Sequence, residues 1–281
     1  MIAIVDSGST KTLWCFISRS MDIQKIHTSG MNPNFITDKD IIDISQILLS
    51  KLATINSEPL ESIYFYGAGC SSNVGKEKIK LALTRIFPDS IIDINTDILG
   101  ACIGSCGTDS GIVGILGTGS NSCVYSDGII VKNIAALGYT LCDEGSGNHI
   151  GKLLLKAYLR NTMPTELRNA FAEQYPYDTS YFLHHLYNQP FPNRFLASFA
   201  PFAYNHRQEA FVKELLHVVF SSFFEEQVIQ YPEYHSYPLH LVGSIAHYFS
   251  SDISTVAQNY GIDIASTHQS PIDGLIKYYC R

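Results

Sequence analysis

No apolar run in this 281-residue chain approaches the roughly 18 residues that a membrane-spanning helix needs. Nor is there a cluster of Lys and Arg: 19 basic side chains face 26 acidic ones, for a net charge of −7. That balance argues against nucleic acid and acidic membrane surfaces as partners. Charged residues make up only 16% of the chain against 46% hydrophobic, which excludes a disordered class. Met1 leads straight into strand-like sequence, with no basic leader segment and no small-residue cleavage site. The seven cysteines (Cys15, Cys70, Cys102, Cys106, Cys123, Cys142 and Cys280) include no C-x-x-C pair. An odd set in mostly apolar or glycine-rich surroundings reads as reduced thiols of a cytoplasmic protein. His184, His185, His235, His240 and His247 lack the spacing of a zinc site. Two nucleotide signatures are missing as well. There is no G-x-x-x-x-G-K-[ST] and no G-x-G-x-x-G, which excludes a P-loop and a dinucleotide fingerprint.

What is present begins at Ile2. "IAIVDSGSTKTLWCF" reads as a buried strand, a turn rich in glycine and hydroxyls, and a second strand. The opening predicts strands over 2–6, 13–18 and 22–27, then a helix near 39–52 entered through a Thr37-x-x-Asp40 cap. A strand at 62–69, a helix over 74–86 capped by Ser71 or Ser72, a strand at 90–95 and a helix from 96 complete a mixed sheet covered by helices. The pattern then restarts. Residues 111–133 read as strand, turn, strand, Asp-Gly turn and strand. A helical stretch over about 147–230 follows, interrupted at Pro164, Pro176, Pro190 and Pro192 and closing in a long amphipathic helix from about 205. Strands at 238–244 and 261–266 and a helix over 271–279 end the chain.

The turn Ser7, Gly8, Ser9, Thr10 and Lys11 would present backbone N–H groups, hydroxyls and one ammonium to an anion. Asp6 beside it would repel a bare phosphate, a conflict removed if Mg2+ sits between them through water. A plain polar turn explains the same residues. Gly117, Thr118, Gly119, Ser120 and Asn121 repeat the arrangement in the second half. Asp97, after a strand and at the start of a helix, is either an acceptor for a hydroxyl proton or a first-turn Asp favoured by the helix dipole. Asp143 and Glu144, ahead of Gly145-Ser146-Gly147, read as a capped helix start or as carboxylates that accept hydrogen bonds from sugar hydroxyls. "SGMNPNF" places Asn32 in a turn.

In order, DSGSTKT, "NTD" before a helix, GTGSNS, "DEGSG" and "VGS" after a late strand resemble the sugar kinase/actin/chaperone ATPase superfamily. Within it the chain is most similar to N-acetylglucosamine kinases and the BadF/BadG/BcrA/BcrD-type ATPases. The resemblance runs over nearly the whole chain. It implies an α/β fold of two ribonuclease-H-like (actin-like ATPase) lobes with ATP and sugar in a cleft between them. The first lobe would be 1–106 plus 267–281, and the second 107–266 with a helical insert. Asp6 to Thr12 would be the first phosphate motif, Gly117 to Asn121 the second, and Gly243 with Ser244 the adenosine motif. Asp97 would be the catalytic base. Asn32, the loop Gly69-Cys70-Ser71, Gly138, Tyr139, Asp143 and Glu144 would serve the sugar. Departures are Ser7 and Ser9 where Gly is common, Cys142 where Gly often precedes Asp-Glu-Gly, Tyr139 where relatives carry Trp, and Gly-Ser in the adenosine motif. The implied activity is ATP- and Mg2+-dependent phosphorylation of an amino sugar, N-acetylglucosamine to its 6-phosphate, in the cytoplasm. The aromatic helices at 181–231 read as core and lobe packing, with surface left for a homodimer contact. A rival within the superfamily is an ATPase that activates a dehydratase through an Fe–S cluster, with Cys106 and Cys142 as candidate ligands. A sugar sensor without turnover is a third reading.

Overall fold

A computed structural model describes residues 1–55 and 58–280. Residues 56, 57 and 281 lie outside that description, so the last position of the expected 267–281 segment does too. Contacts divide the chain into two compact units, Met1–Asp109 with Ser270–Arg281, and Ser110–Gln269.

The first unit is built on a five-stranded sheet: β1 (Ile2–Ser7), β2 (Lys11–Ile17), β3 (Ile23–Ser29), β4 (Ser62–Gly67) and β5 (Ile91–Thr96). Their order is β3-β2-β1-β4-β5, antiparallel across the first three and parallel from β1 to β5. Antiparallel neighbours need only tight turns, whereas the parallel pairs need helical crossovers. Those are α1 (Asp38–Ile55) and α2 (Asn73–Ile86). Thr37 and Asp40 form a reciprocal cap on α1: the Thr37 N–H donates to Asp40 Oδ2 at 2.8 Å, and the Asp40 N–H donates to Thr37 Oγ1 at 3.2 Å. Ser72 caps α2 by accepting from the Gly75 N–H. Under these helices Trp14, Phe16, Phe65, Ile44, Leu48 and Ile79 form the core. Each such side chain contributes about 1.5–3 kcal/mol by burial. The sole tryptophan, Trp14, is fully buried, and its indole N–H donates to Thr28 Oγ1 at 2.9 Å.

α3 (Asp97–Cys106) and α12 (Ile272–Tyr279) close this unit. Their backbones nearly touch: a Cβ on Gly274 would stand 1.7 Å from the Gly104 carbonyl oxygen. Only glycine permits that approach.

The second unit repeats the plan with β6 (Gly111–Leu116), β7 (Ser120–Ser126), β8 (Ile129–Asn133), β9 (Leu239–Val242) and β10 (Ile264–His268). The order β10-β9-β6-β7-β8 and the strand directions match those of the first sheet. The expected α/β fold with two similarly built units is therefore present.

Between β8 and β9 lies the helical insert: α4 (Gly147–Leu159), α5 (Thr165–Gln174), α6 (Thr179–Tyr187), α7 (Pro192–Ala197), α8 (Ala200–Asn205) and α9 (Ala210–Phe223). After β9 come α10 (Ser244–Tyr248) and α11 (Ser250–Gln258). The long helix expected from about 205 starts instead at Ala210. Arg207 stacks on the Tyr204 ring and its guanidinium donates to the Tyr204 carbonyl oxygen, which ends α8 and leaves a turn before α9. Pro192 begins a helix rather than breaking one, since its missing N–H lies in the first turn.

Candidate functional site

In the first unit the candidate residues gather at one end of β1 and β4. β1 continues through Ser7 and β2 begins at Lys11, so the turn itself is Gly8 to Thr10, closed by the Gly8 N–H donating to the Lys11 carbonyl at 3.0 Å. Gly30 packs under it. A Cβ there would lie 2.5 Å from the Gly8 carbonyl oxygen, so the close approach requires glycine. The Ser7 hydroxyl is turned into the fold. It is buried, bonded to Thr12 Oγ1 at 2.8 Å and accepting from the Met31 N–H at 3.0 Å. Ser7 can serve a phosphate only through its backbone.

Asn32 joins two expected pieces. Its Nδ2 donates to Ser9 Oγ at 3.3 Å, and its Oδ1 accepts from the Asn34 N–H at 3.0 Å. Gly69 has φ +82°, and a Cβ on it would sit 2.5 Å from Asn32 Oδ1. The phosphate turn, Asn32 and the Gly69–Ser71 loop are thus in mutual contact. Lys78 on α2 secures the Asn32 loop by donating to the Pro33 and Ile36 carbonyls at 2.7 and 3.1 Å. Cys70 turns its thiol into the core. Its side chain is fully buried and its thiol is pushed up to about 11, by burial and then by Asp97. The loop can offer a ligand its backbone and Ser71, not that sulfur.

Asp97 opens α3, with Thr96 as the cap accepting from the Leu99 N–H. Its Oδ1 accepts from the Ile98 N–H at 2.9 Å. Burial raises its pKa to about 6; the Ile98 N–H opposes this, and the Asp6 charge adds to it. Burial also raises Asp6, opposed by a hydrogen bond from Ser270 and by the Lys11 charge. Solvent still reaches both carboxylates in part, so the protein atoms crowded around them drive these shifts without sealing them from water. Ser270 was not legible as a site residue. It stands 264 positions from Asp6, yet its hydroxyl donates to Asp6 Oδ2 at 2.7 Å. No sequence spacing could signal it, because the packing of α12 on α3 and β1 delivers it.

In the second unit Gly117 to Gly119 make a tight turn between β6 and β7, with the Gly117 N–H on the Gly119 carbonyl at 2.9 Å. The start of α4 holds it from below: the Gly147 N–H donates to the Gly117 carbonyl at 2.8 Å, and Asn148 Nδ2 to the Thr118 carbonyl at 2.8 Å. Asp143 is buried in the left-handed region at φ +71°. Its Oδ1 accepts from the Ser120 N–H at 3.1 Å and its Oδ2 from Asn148 Nδ2 at 2.7 Å. Burial raises its pKa, and those two donors oppose the rise. Both oxygens expected to face a sugar therefore already brace the turn. Glu144 is also buried, its Oε2 accepting from Gln227 Nε2 at 3.0 Å. Asn121 turns its side chain to β8, where Oδ1 accepts from Asn133 Nδ2 at 3.0 Å. Gly243 meets the same turn: at φ +123°, a Cβ on it would stand 2.3 Å from the Leu116 carbonyl oxygen. Ser244 follows as the first residue of α10. Gly138 has φ +78° and open space around it, and the Tyr139 carbonyl accepts from Lys152 at 2.7 Å. So the 117–121 turn, the acidic pair and Gly243 converge, while Gly138 and Tyr139 sit on the preceding loop.

A magnesium ion carried mainly by phosphate oxygens and waters needs one or two carboxylates and no protein cage. Asp6 fits that requirement: it is crowded, beside a second carboxylate, and held on one oxygen by Ser270. Among the described residues no three His, Cys, Asp or Glu side chains are grouped to hold a metal by themselves. Cys106 is buried in α3 of the first unit, whereas Cys142 belongs to the loop before α4 in the second.

A candidate N-acetylglucosamine kinase from Porphyromonas gingivalis is 37% identical, with TM-score 0.92 over 99% of this chain and 98% of that one. The chain belongs to the N-acetylglucosamine kinase family. A candidate N-acetylglucosamine kinase from Chromobacterium violaceum shares the fold at TM-score 0.73 and 18% identity, covering 99% of this chain and 98% of that one. A ROK family glucokinase from Streptomyces griseus, in complex with glucose and AMPPNP, does so at TM-score 0.62 and 11% identity, covering 98% and 97%. No protein-family model and no curated protein matches the chain.

Proposed function

We propose that this member of the N-acetylglucosamine kinase family transfers the γ-phosphoryl group of ATP to the 6-hydroxyl of N-acetylglucosamine. The observation that carries the reading is Asp97: a carboxylate at a helix start, raised to about 6, in a chain 37% identical end to end to a candidate N-acetylglucosamine kinase. A base of that strength is ionised at neutral pH and retains affinity for a proton.

In the reaction proposed, Asp97 accepts the hydroxyl proton as the sugar oxygen bonds to the γ-phosphorus. The bond from that phosphorus to the bridging oxygen breaks, and ADP leaves. Asp6 would hold Mg2+ through water, and Mg2+ would supply positive charge to the phosphate oxygens. Ser7, Gly8, Ser9, Thr10 and Lys11 in the first unit would offer N–H groups, hydroxyls and a cation to phosphate. Gly117 to Asn121 would do so in the second, with Gly243 and Ser244 at the nucleoside. Asn32 and the Gly69–Ser71 loop would take the sugar, joined by Gly138 and Tyr139. Asp143 and Glu144 would serve the sugar through the 117–121 turn that they brace. The glucokinase complex with glucose and AMPPNP supports a sugar and an ATP-like nucleotide as the ligand classes. A cytoplasmic location agrees with the absence, among the described residues, of any helix long and apolar enough to cross a membrane.

The test is ADP release with Mg-ATP against N-acetylglucosamine, glucosamine, N-acetylmannosamine and glucose. The reading expects sugar-dependent turnover with N-acetylglucosamine preferred. ADP release indifferent to all four sugars would sink it.

A further inference from the structure

Beyond Phe223 the helical hydrogen bonds of α9 loosen into a π-helical turn, Phe224–Val228. One such turn inserts an extra residue and re-aims the side chains around it, a feature frequent at functional sites. Here it directs Gln227 inward, to 3% exposure, among buried Phe223, Phe224 and Val228. An amide in that setting is unfavourable unless its groups are bonded. Only its donor side is. Nε2 donates to Glu144 Oε2 at 3.0 Å and reaches Ser120 Oγ at 3.4 Å, while Oε1 is buried without a partner. Met or Leu would fill the same volume without a buried amide oxygen, but would take the donor away from Glu144 Oε2. The residue is therefore explained by what its N–H groups hold.

They hold the two halves of the second unit's candidate site. Ser120 is also tied through its N–H to Asp143, which is bonded to Asn148, which in turn grips the Thr118 carbonyl. Since Asp143 and Glu144 are adjacent, Ser120, Gln227, Glu144 and Asp143 close a buried ring behind the 117–121 turn. Four residues on, the Tyr231 hydroxyl is bonded to Ser122 Oγ at 2.8 Å and accepts from the Ile134 N–H at 3.1 Å. Ser120 and Ser122 lie on one face of β7, so the segment 227–231 grips that strand twice.

We propose that Gln227 is a positioning residue that locks the 117–121 turn to Glu144 and so presets the turn for the nucleotide's phosphates. This rests on the kinase reading above. The experiment measures equilibrium Mg-ATP binding, KM for ATP and for sugar, kcat and melting temperature for wild type and Gln227→Met. A volume-matched loss of the bridge weakens ATP binding about tenfold and raises KM for ATP in parallel, with KM for sugar rising less than KM for ATP and melting lowered by only a few degrees for the donor lost from Glu144. ATP affinity equal to wild type overturns the proposal. So does a large fall in melting temperature with ATP, sugar and kcat parameters all worsening together, which marks a merely structural role. Should Gln227→Met not fold, Ser120→Ala removes the other end of the bridge. Because Ser120 itself belongs to the phosphate turn, a rise in KM for ATP counts for the proposal only where Gln227→Asn, which shortens the bridge, raises it as well; an unchanged KM in either variant overturns it. A wild-type protein that binds no Mg-ATP refutes the kinase reading itself, whereas binding indifferent to both variants refutes only the role of Gln227.

Discussion

Replacing Asp97 by Asn removes one negative charge at nearly constant shape, and two opposite effects follow. The first is on rate. With a folded pKa of about 6, the carboxylate is about 97% ionised at pH 7.5 and about one-tenth ionised at pH 5. Wild-type kcat/KM should therefore fall about tenfold between pH 7.5 and 5, and Asp97→Asn should lose about 10²–10⁴-fold at pH 7.5 while losing that acid limb. The second effect is on stability. The folded pKa lies above the ordinary 3.8, so the protonated form is the one the fold favours. Its stabilisation is fully present below pH 3.8 and is lost as pH rises through about 6. The difference between the two values corresponds to at most about 3 kcal/mol, and the residual exposure of the side chain brings that to about 1–2 kcal/mol. Asn carries no such penalty, so above pH 7 the variant should melt about 2–6 °C higher, with the gap closing toward pH 4. Steady-state kinetics and thermal melts across pH 4–8 read both effects. A variant that keeps more than a tenth of wild-type turnover, or a pH–rate profile flat from 5 to 8, would refute the assignment of Asp97 as base.

Ser270→Ala withdraws the donor from Asp6, so the Asp6 pKa should rise further and apparent affinity for Mg-ATP should drop about three- to tenfold, as a Mg2+ titration of activity would show. Unchanged Mg2+ dependence would separate Ser270 from the site. Gly119→Ala places a methyl 2.8 Å from Asp143 Oδ1 and should cost about 1–3 kcal/mol in ATP binding or folding, read by calorimetry and melting; wild-type values would mean that the turn moves freely off Asp143. Asn32→Ala breaks the link to Ser9 Oγ and should raise KM for sugar more than KM for ATP. The opposite ranking would reassign Asn32 to the nucleotide.

Much of the architecture was open to reading because it is written locally. The apolar runs of β1, β4 and β6 mark fully buried strands, and the Thr37–Asp40 pair announced a cap that formed as anticipated. Strand order was less accessible: periodicity does not say which strands are neighbours, and the resemblance to the actin-like superfamily implied two similarly built lobes without an order being read from it. The unread features are those made by distant packing. Ser270 reaches Asp6 because two glycines let α12 settle on α3. Gln227 reaches Glu144 and Ser120 because a π turn rotates it inward, and no residue pattern encodes that turn. The inward-facing Ser7 hydroxyl and the buried Cys70 thiol were hidden for the same reason, since composition names a polar atom but not the direction in which it points.

The buried indole of Trp14 also has a spectroscopic consequence. Excitation selective for tryptophan reports on one spot of this molecule, inside the core of the first unit, and the second unit has no indole of its own. Far-ultraviolet circular dichroism is weighted the other way, because helices α4 to α11 all belong to the second unit. Since α1, α2, α3 and α12 add helix signal from the first unit, denaturant titrations followed by the two signals compare the first unit alone with the whole chain. Coincident curves would mean that the halves unfold as one cooperative body, and a displaced emission curve would resolve them.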